Sequence, residues 1–196
     1  MTDYIQVQLA LERVEADMLR IRYWQRYGAT LLGLMRHHGI AASHFLHHTH
    51  RLPGLESRVH APAVDRQALR RLVGRRVILT NAPRAYATRV LGALGILDVF
   101  DDVICIEDMS MFGHLRPKPD ARMFRVILKR LGVRPADAIL VEDTLEHQKA
   151  AKRVGLQTVW MQRFLRSACS DSGLLGHRLL RRPVYVDRRI SRLRDL

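Results

Sequence analysis

Hydrophobic and polar residues follow different periods in the two parts of the chain. Over residues 2–71, apolar residues recur at the three- and four-residue spacing of amphipathic helices. Gly28 and Gly39 each follow one of these stretches, at positions where a left-handed residue commonly ends a helix. Pro53 and Gly54 interrupt the pattern. The first part of the chain is therefore predicted to form short helices, two of them at 31–38 and 42–50.

From residue 76 onward, short apolar runs alternate with stretches of helical period. Strands alternating with helices are typical of a parallel sheet with helical connections. The pattern predicts an α/β fold with a Rossmann-like parallel sheet. The expected strands are 76–80, 103–106, 138–141 and 157–161, and the expected helices are 85–94, 121–131 and 145–154.

Polar residues that could bind a ligand lie at or near the ends of these predicted strands. Thr80 and Asn81 follow the first strand, and Glu142 and Asp143 end the third. Lys118 stands between two prolines, which stiffen the loop that presents it. Ligands of α/β sheets bind at the carboxyl ends of strands. A hydroxyl with free backbone N–H groups suits phosphate, and adjacent carboxylates suit Mg²⁺.

Each of these residues also has a purely structural interpretation. Thr80 could satisfy a carbonyl at the strand end, and Lys118 could be an ordinary surface lysine. Glu142 could stabilise the beginning of the next helix through the helix dipole. Spacing alone leaves these alternatives open, although the order of the three motifs favours a site.

The three motifs resemble those of the haloacid dehalogenase-like phosphohydrolases. The segments ILTNAPRAYATRVLGALGI, RPKPD and VEDTLEHQKAAKRVGLQTVW resemble the bacterial pyrimidine 5′-nucleotidase-type branch of that family. The resemblance implies a helical cap at 1–71 and a Rossmann-like core at 72–165. A basic C-terminal tail at 166–196 is expected to pack on that core.

The resemblance also implies an activity and roles for the site residues. The expected reaction is Mg²⁺-dependent hydrolysis of a small phosphorylated metabolite, such as a pyrimidine nucleoside 5′-monophosphate. Thr80, Asn81 and Lys118 would bind the phosphoryl group, with Thr80 and Lys118 also serving catalysis. Asp143 would be the principal Mg²⁺ ligand and Glu142 its partner. In relatives an amide commonly stands where this chain has His147.

One motif of the family is missing. Its members carry a strand ending in Asp-x-Asp, whose first Asp forms an aspartyl-phosphate and whose second acts as general acid and base. The 196 residues contain no Asp-x-Asp. We therefore expect the first core strand to be absent, a start set too late at an internal Met, and a chain inactive as given. The alternative is a genuine short form that binds phosphate or nucleic acid without catalysis.

The loss of that strand has an expected structural consequence. In the family it lies between the strands that end here at residues 80 and 141, so its removal leaves two unpaired edges. Residues 4–9 alternate and could fill the gap, but their continuation is helical, so a helix is predicted there.

Composition narrows the class of protein. The hydrophobic fraction of 47% is that of a globular protein, and two cysteines give no disulfide framework. The sequence has no apolar run long enough to span a bilayer, so a cytoplasmic location without membrane contact is expected. Six of the ten histidines fall within residues 36–50. Surface or cap-lining roles are expected for them, with metal binding as the alternative.

The net charge of +14 could attract nucleic acid. The excess is nearly all arginine, and residues 163–196 hold nine arginines against three aspartates. No recognition motif for nucleic acid accompanies them, so a solvated arginine-rich tail is favoured over a dedicated patch.

Overall fold

The computed structural model describes residues 1–163 and 181–196. The chain divides into two compact units, each built from two segments. Unit 1 comprises Met1–Ala61 with Arg75–Lys118, and unit 2 comprises Pro62–Gly74 with Pro119–Leu196. Residues 166–180 of the predicted C-terminal tail lie outside the described residues.

The first segment of unit 1 is helical, as the spacing of apolar residues predicts. Helices α3 and α4 agree with the predicted ranges, and left-handed glycines end α2 and α3 as expected. Residues 4–9 form part of a helix, so their alternation does not produce a strand. The helices are α1 (Thr2–Leu9), α2 (Arg13–Tyr27), α3 (Thr30–His38), α4 (Ala42–His50) and α5 (Leu55–Arg58).

The helical core of unit 1 depends on a close approach of α2 and α3. A Cβ atom added to Gly33 would lie 2.2 Å from Cγ of Tyr23, so only glycine allows this contact. Tyr23 and Phe45 are buried in this core. They are therefore packing residues, whereas Trp24 remains 45% exposed.

The second segment of unit 1 forms a parallel strand pair. Strand β1 (Val77–Leu79) pairs with β2 (Asp102–Ile104), and α7 (Arg84–Ala93) lies between them in sequence. The predicted helix and strands shift by one or two residues. A hairpin of β3 (Ser110–Met111) and β4 (His114–Leu115) follows.

The β3–β4 hairpin was not predicted. Its turn places Phe112 at φ 51° and Gly113 at φ 75°. Two positive φ angles are expected from Asn-Gly or Asp-Gly, and a phenylalanine gives no such signal.

Unit 2 is built on a three-stranded parallel sheet in the order β5-β6-β7. Helices α8 and α9 and strand β6 agree with the predicted ranges. In the described residues, β5 pairs only with β6 and β1 only with β2, so each has one edge without a strand partner. The elements are α6 (Ala63–Arg71), α8 (Ala121–Leu131), β5 (Ile139–Glu142), α9 (Leu145–Val154), β6 (Gln157–Met161) and β7 (Arg188–Ile190).

Asp187 attaches the last strand to its sheet. Its carboxylate accepts hydrogen bonds from Lys152 Nζ at 2.6 Å and from the buried backbone N–H of Thr158 at 2.9 Å. The backbone N–H of Asp187 donates to the Thr158 hydroxyl at 3.1 Å. The hydrogen bond from Lys152 is the main reason that the pKa of Asp187 lies below its usual value. One carboxylate thus joins β7 to β6 and α9.

None of the helices in the described parts of the chain is both long and apolar enough to cross a bilayer.

We expect Asp187→Ala to lower the free energy of unfolding by about 1–3 kcal/mol at pH 7, because the buried Thr158 N–H loses its acceptor. The native pKa of Asp187 is depressed, so its stabilising effect is complete above the unfolded pKa and is lost as the pH falls through the native one. Urea unfolding at pH 7 and at decreasing pH should therefore show the two proteins converging in acid. Asp137→Asn, which breaks only an exposed pair with Arg134, should cost less than about 1 kcal/mol. Equal losses in the two variants would contradict this role.

Candidate functional site

Thr80 lies directly after β1. Its backbone N–H donates to the carbonyl of Ile104 at 3.0 Å and so continues the pairing with β2. Its hydroxyl oxygen accepts from the backbone N–H of Ala82 at 3.1 Å. Because that bond uses only an acceptor position, the hydroxyl proton remains available for a ligand.

Asn81 joins the end of β1 to a loop 37 residues away. Its side-chain Nδ2 donates to the carbonyl of Lys118 at 3.0 Å, and its Oδ1 accepts from the N–H of Lys118 at 2.9 Å. The sequence assigned Asn81 a role through its backbone N–H alone. The side-chain bonds were missed because nothing near Asn81 in the sequence indicates so distant a partner.

Lys118 is buried, with only 7% of its surface exposed. Its Nζ donates to the carbonyl of Leu79, the last residue of β1, at 2.9 Å. Thr80, Asn81 and Lys118 therefore meet at the carboxyl end of β1, and we call these three residues the anion site. Charge interactions are strong where water is largely excluded, so the buried ammonium favours an anion beside it.

Glu142 and Asp143, the acid pair, lie at the end of β5 in unit 2. Oε1 of Glu142 accepts from the backbone N–H groups of Asp143 at 3.1 Å and Thr144 at 3.2 Å. Its Oε2 lies 3.1 Å from Nδ1 of His147. Glu142 thus binds N–H groups at the beginning of α9, which is the structural role that the sequence left open. Asp143 is exposed, and its Oδ1 accepts from the Thr144 hydroxyl at 3.2 Å.

The acid pair fits a hard cation. A side-chain hydrogen bond to Glu142, followed by partial desolvation of the carboxyl group and by the charge of Glu142, raises the pKa of Asp143. A cation bound to the pair would relieve this crowding of negative charge. In the described residues no three His, Cys, Asp or Glu side chains are arranged for a metal. Two carboxylates, completed by waters and a substrate phosphate, are a common set of ligands for Mg²⁺.

Two side chains that the sequence did not single out hold the backbone of the acid pair. Gln148 is fully buried, and its Nε2 donates to the carbonyls of Glu142 at 2.8 Å and Val159 at 2.7 Å. Nε1 of Trp160 donates to the carbonyl of Asp143 at 2.9 Å. Gln148 in a helix and Trp160 in a strand have no local sequence pattern that would predict these hydrogen bonds.

The histidines of unit 1 lie against tyrosines. The hydroxyl of Tyr4 is hydrogen-bonded to Nδ1 of His44 at 2.7 Å, and the hydroxyl of Tyr27 to Nε2 of His37 at 2.6 Å. The ring centroids of His44 and His48 are 4.3 Å apart on one face of α4. Part of the histidine cluster is therefore occupied in contacts between helices.

Comparison with known proteins places this architecture in a family. The sequence signature described as "Hydrolase: haloacid dehalogenase-like hydrolase" matches residues 7–155, which is most of the chain. The chain belongs to the haloacid dehalogenase-like hydrolases. Thr80, Lys118 and the acid pair all fall inside the matched range.

Two curated proteins are similar to part of this haloacid dehalogenase-like chain. Validoxylamine A 7′-phosphate phosphatase of Streptomyces hygroscopicus subsp. limoneus is 37% identical over 79 residues, which are 40% of this chain and 35% of that protein. Pyrophosphatase PpaX of Bacillus velezensis is 35% identical over 81 residues, which are 41% of this chain and 35% of that protein. The match therefore spans about a third of the length of these relatives.

Solved structures agree with the predicted α/β fold. A haloacid dehalogenase-like phosphatase from Thermococcus onnurineus is 22% identical, with a TM-score of 0.56 over 98% of this chain and 82% of the other. The L-2-haloacid dehalogenase of Xanthobacter autotrophicus, with chloropropionic acid covalently bound, is 21% identical. Its TM-score is 0.59 over 97% of this chain and 80% of the other. At this identity the likeness confirms the fold alone.

We expect Asn81→Ala to loosen the loop that holds Lys118, because both backbone hydrogen bonds of Lys118 to the Asn81 side chain are lost. Two such bonds contribute about 1–3 kcal/mol to stability. Amide hydrogen exchange should accelerate at Lys118, and the urea midpoint should fall. Gln157→Ala is the control, because it removes one exposed side-chain bond to the carbonyl of Ala136. Unchanged exchange at Lys118 in Asn81→Ala would contradict the role of this amide.

Proposed function

We propose that this chain carries the substrate-binding and metal-binding residues of a Mg²⁺-dependent phosphomonoester hydrolase. The observation that carries the proposal is the buried ammonium of Lys118, which donates to the carbonyl of Leu79, the residue before Thr80. The names of both curated relatives support it, since one is a phosphatase and the other a pyrophosphatase.

In this proposal the anion site binds the phosphoryl group. Lys118 cancels negative charge on the phosphoryl oxygens, and the Thr80 hydroxyl donates its proton to one of them. Asn81 keeps Lys118 in place through two hydrogen bonds to its backbone. Fixed donors of this kind stabilise charge most effectively when they need no rearrangement on binding.

The acid pair would hold Mg²⁺. Asp143 is the principal ligand because it is exposed, whereas Glu142 already accepts two backbone N–H groups and lies against His147. When bound, Mg²⁺ supplies positive charge to the oxygens of a phosphate ester. The backbone of both acids is held by Gln148 and Trp160, so their carboxylates start from fixed positions.

None of these residues is a nucleophile for phosphorus, and the chain contains no Asp-x-Asp. We therefore infer that the chain as given binds a phosphomonoester and Mg²⁺ but does not hydrolyse the ester. The proposed ligand class is a pyrimidine nucleoside 5′-monophosphate, which rests on the local sequence resemblance of the three motifs.

Calorimetric titration with uridine 5′-monophosphate in the presence of Mg²⁺ tests this proposal. We expect Lys118→Met to weaken binding by about tenfold or more, the effect of one lost charged hydrogen bond. Asp143→Asn should weaken the binding of Mg²⁺, which a separate titration with Mg²⁺ alone measures. Lys129→Met, which changes an exposed lysine on α8, is the matched control.

A parallel assay measures phosphate release from the same ester. No release above the background is expected from the wild-type chain. Release that is lost in Asp143→Asn would contradict the non-hydrolytic part of the proposal and assign the activity to this chain. Absence of binding in calorimetry would overturn the proposal as a whole.

A second candidate function is the binding of single-stranded nucleic acid. The observation in its favour is that unit 2 has 20 lysines and arginines against nine acids, whereas unit 1 has 13 against ten. Arg192 and Arg194 are exposed near the end of unit 2.

This candidate predicts that RNA binding, measured by fluorescence anisotropy, weakens with salt, with a log–log slope of about −0.7 per phosphate contact. The double variant Arg192→Glu with Arg194→Glu should bind more weakly and show a smaller slope than the wild type. Arg26→Glu in unit 1 should leave both unchanged. No binding at low salt would remove this candidate.

A further inference from the structure

Helix α2 has apolar residues on two opposite faces. On its inner face, Ala16 is completely buried and Tyr23 is only 8% exposed. Its outer face carries Val14, Met18 and Ile21, which are 70%, 58% and 38% exposed. Positions four and three residues apart form one continuous stripe on a helix. An amphipathic helix that packs on one core needs a single apolar face, so the outer stripe is not explained by the fold of unit 1.

A groove runs beside this stripe. It has a volume of about 410 Å³, and Val14 and Met18 line it together with polar residues of α1 and α2. Its polar walls are held in place by internal bonds: the Thr2 hydroxyl donates to Asp17 at 2.9 Å, and Arg13 donates to Asp3 at 2.7 Å. The stripe and groove together offer a shaped apolar surface, and such surfaces on soluble proteins commonly mark an interaction site.

The charges along α2 favour a second copy of the same helix as the binding partner of this stripe. Glu15 and Arg22 are exposed and lie seven residues, or about two turns, apart on the same flank of the stripe. Glu15 and Asp17 fall in the first half of the helix, which begins with Arg13, whereas Arg20, Arg22 and Arg26 fall in the second half. A second copy of α2 packed antiparallel therefore brings Glu15 against the partner's Arg22, twice. A parallel pair would instead set acids against acids and arginines against arginines.

We propose that the outer stripe of α2 is a homodimer interface. Two copies of the helix pack antiparallel about a twofold axis near Met18, so that Met18 meets its own copy and Val14 lies opposite the partner's Ile21. A twofold interface is self-complementary, and each contact occurs twice. The Glu15–Arg22 pairs fix the antiparallel direction, as charges beside an apolar seam do in helical dimers.

The contact is short, since α2 has 15 residues and is about 22 Å long. An interface of this size belongs to the weak class, so we expect a reversible equilibrium between monomer and dimer. Sedimentation velocity over a concentration series of about 1–100 μM covers the range in which such a weak complex dissociates.

The first test changes the residue at the proposed axis. Met18→Glu places two carboxylates against each other and should raise the dimer dissociation constant by about tenfold or more. Val73→Glu is the matched control, because Val73 is fully exposed and is not part of the stripe. Circular dichroism of each variant checks that the helices remain folded.

The second test uses charge exchange. Arg22→Glu sets Glu15 against a glutamate of the partner and should weaken the dimer, whereas the double variant Glu15→Arg with Arg22→Glu should restore it. Recovery in the double variant is not expected if these residues serve only the fold of the monomer. A wild-type chain that stays monomeric throughout the series would overturn the proposal. A dimer that survives Met18→Glu, or is not restored by charge exchange, would also overturn it.

Discussion

The geometry of the anion site depends on one side-chain amide. Asn81 donates to the carbonyl of Lys118 and accepts from its N–H, and both bonds are near 3 Å. A primary amide can do both from one planar group, which neither a carboxylate nor a hydroxyl reproduces at both positions. Because the backbone of Lys118 is fixed in this way, its long side chain reaches the carbonyl of Leu79 from a fixed backbone position. Without Asn81, the backbone of Lys118 would no longer be held next to β1 by these two bonds.

In unit 2, a side-chain amide likewise holds the backbone of the acid pair. The amide of Gln148 bonds the carbonyls of Glu142 and Val159, which belong to neighbouring strands. In both units, therefore, a side-chain amide holds the backbone of the charged residues in place. This preorganisation lowers the cost of binding, since less conformational freedom is lost when the ligand arrives.

The sequence predicted the fold better than it predicted these supports. Helices α8 and α9 followed from strong periodicity and from Gly132 and Gly155, which end them in left-handed conformations. The positions of Thr80, Lys118 and the acid pair at strand ends or in a stiff loop followed from the alternation of strands and helices. Each of these signals is local. The bonds of Asn81 and Gln148 join segments distant in sequence, and a single sequence does not encode them in any local pattern.

The outer stripe of α2 shows a different limit of the sequence pattern. Val14, Met18 and Ile21 follow a helical spacing, but that spacing alone does not tell which apolar residues of the helix are buried. The structure separates them from Ala16 and Tyr23, which lie on the opposite, buried face of α2. Burial could be assigned only once the crossing of α2 and α3 at Gly33 was known.

Ligand binding at the proposed sites can be measured separately from turnover for a physical reason. Burial of the Lys118 ammonium carries a desolvation cost in unit 1, and the adjacent Glu142 and Asp143 crowd negative charge in unit 2. A ligand that binds only the folded state stabilises it by an amount set by its concentration and affinity. Phosphate at Lys118 or Mg²⁺ at Asp143 would therefore be coupled to the stability of the unit that binds it. This coupling between binding and stability needs no nucleophile. A change in stability on adding phosphate or Mg²⁺ therefore measures binding at the anion site or the acid pair independently of catalysis.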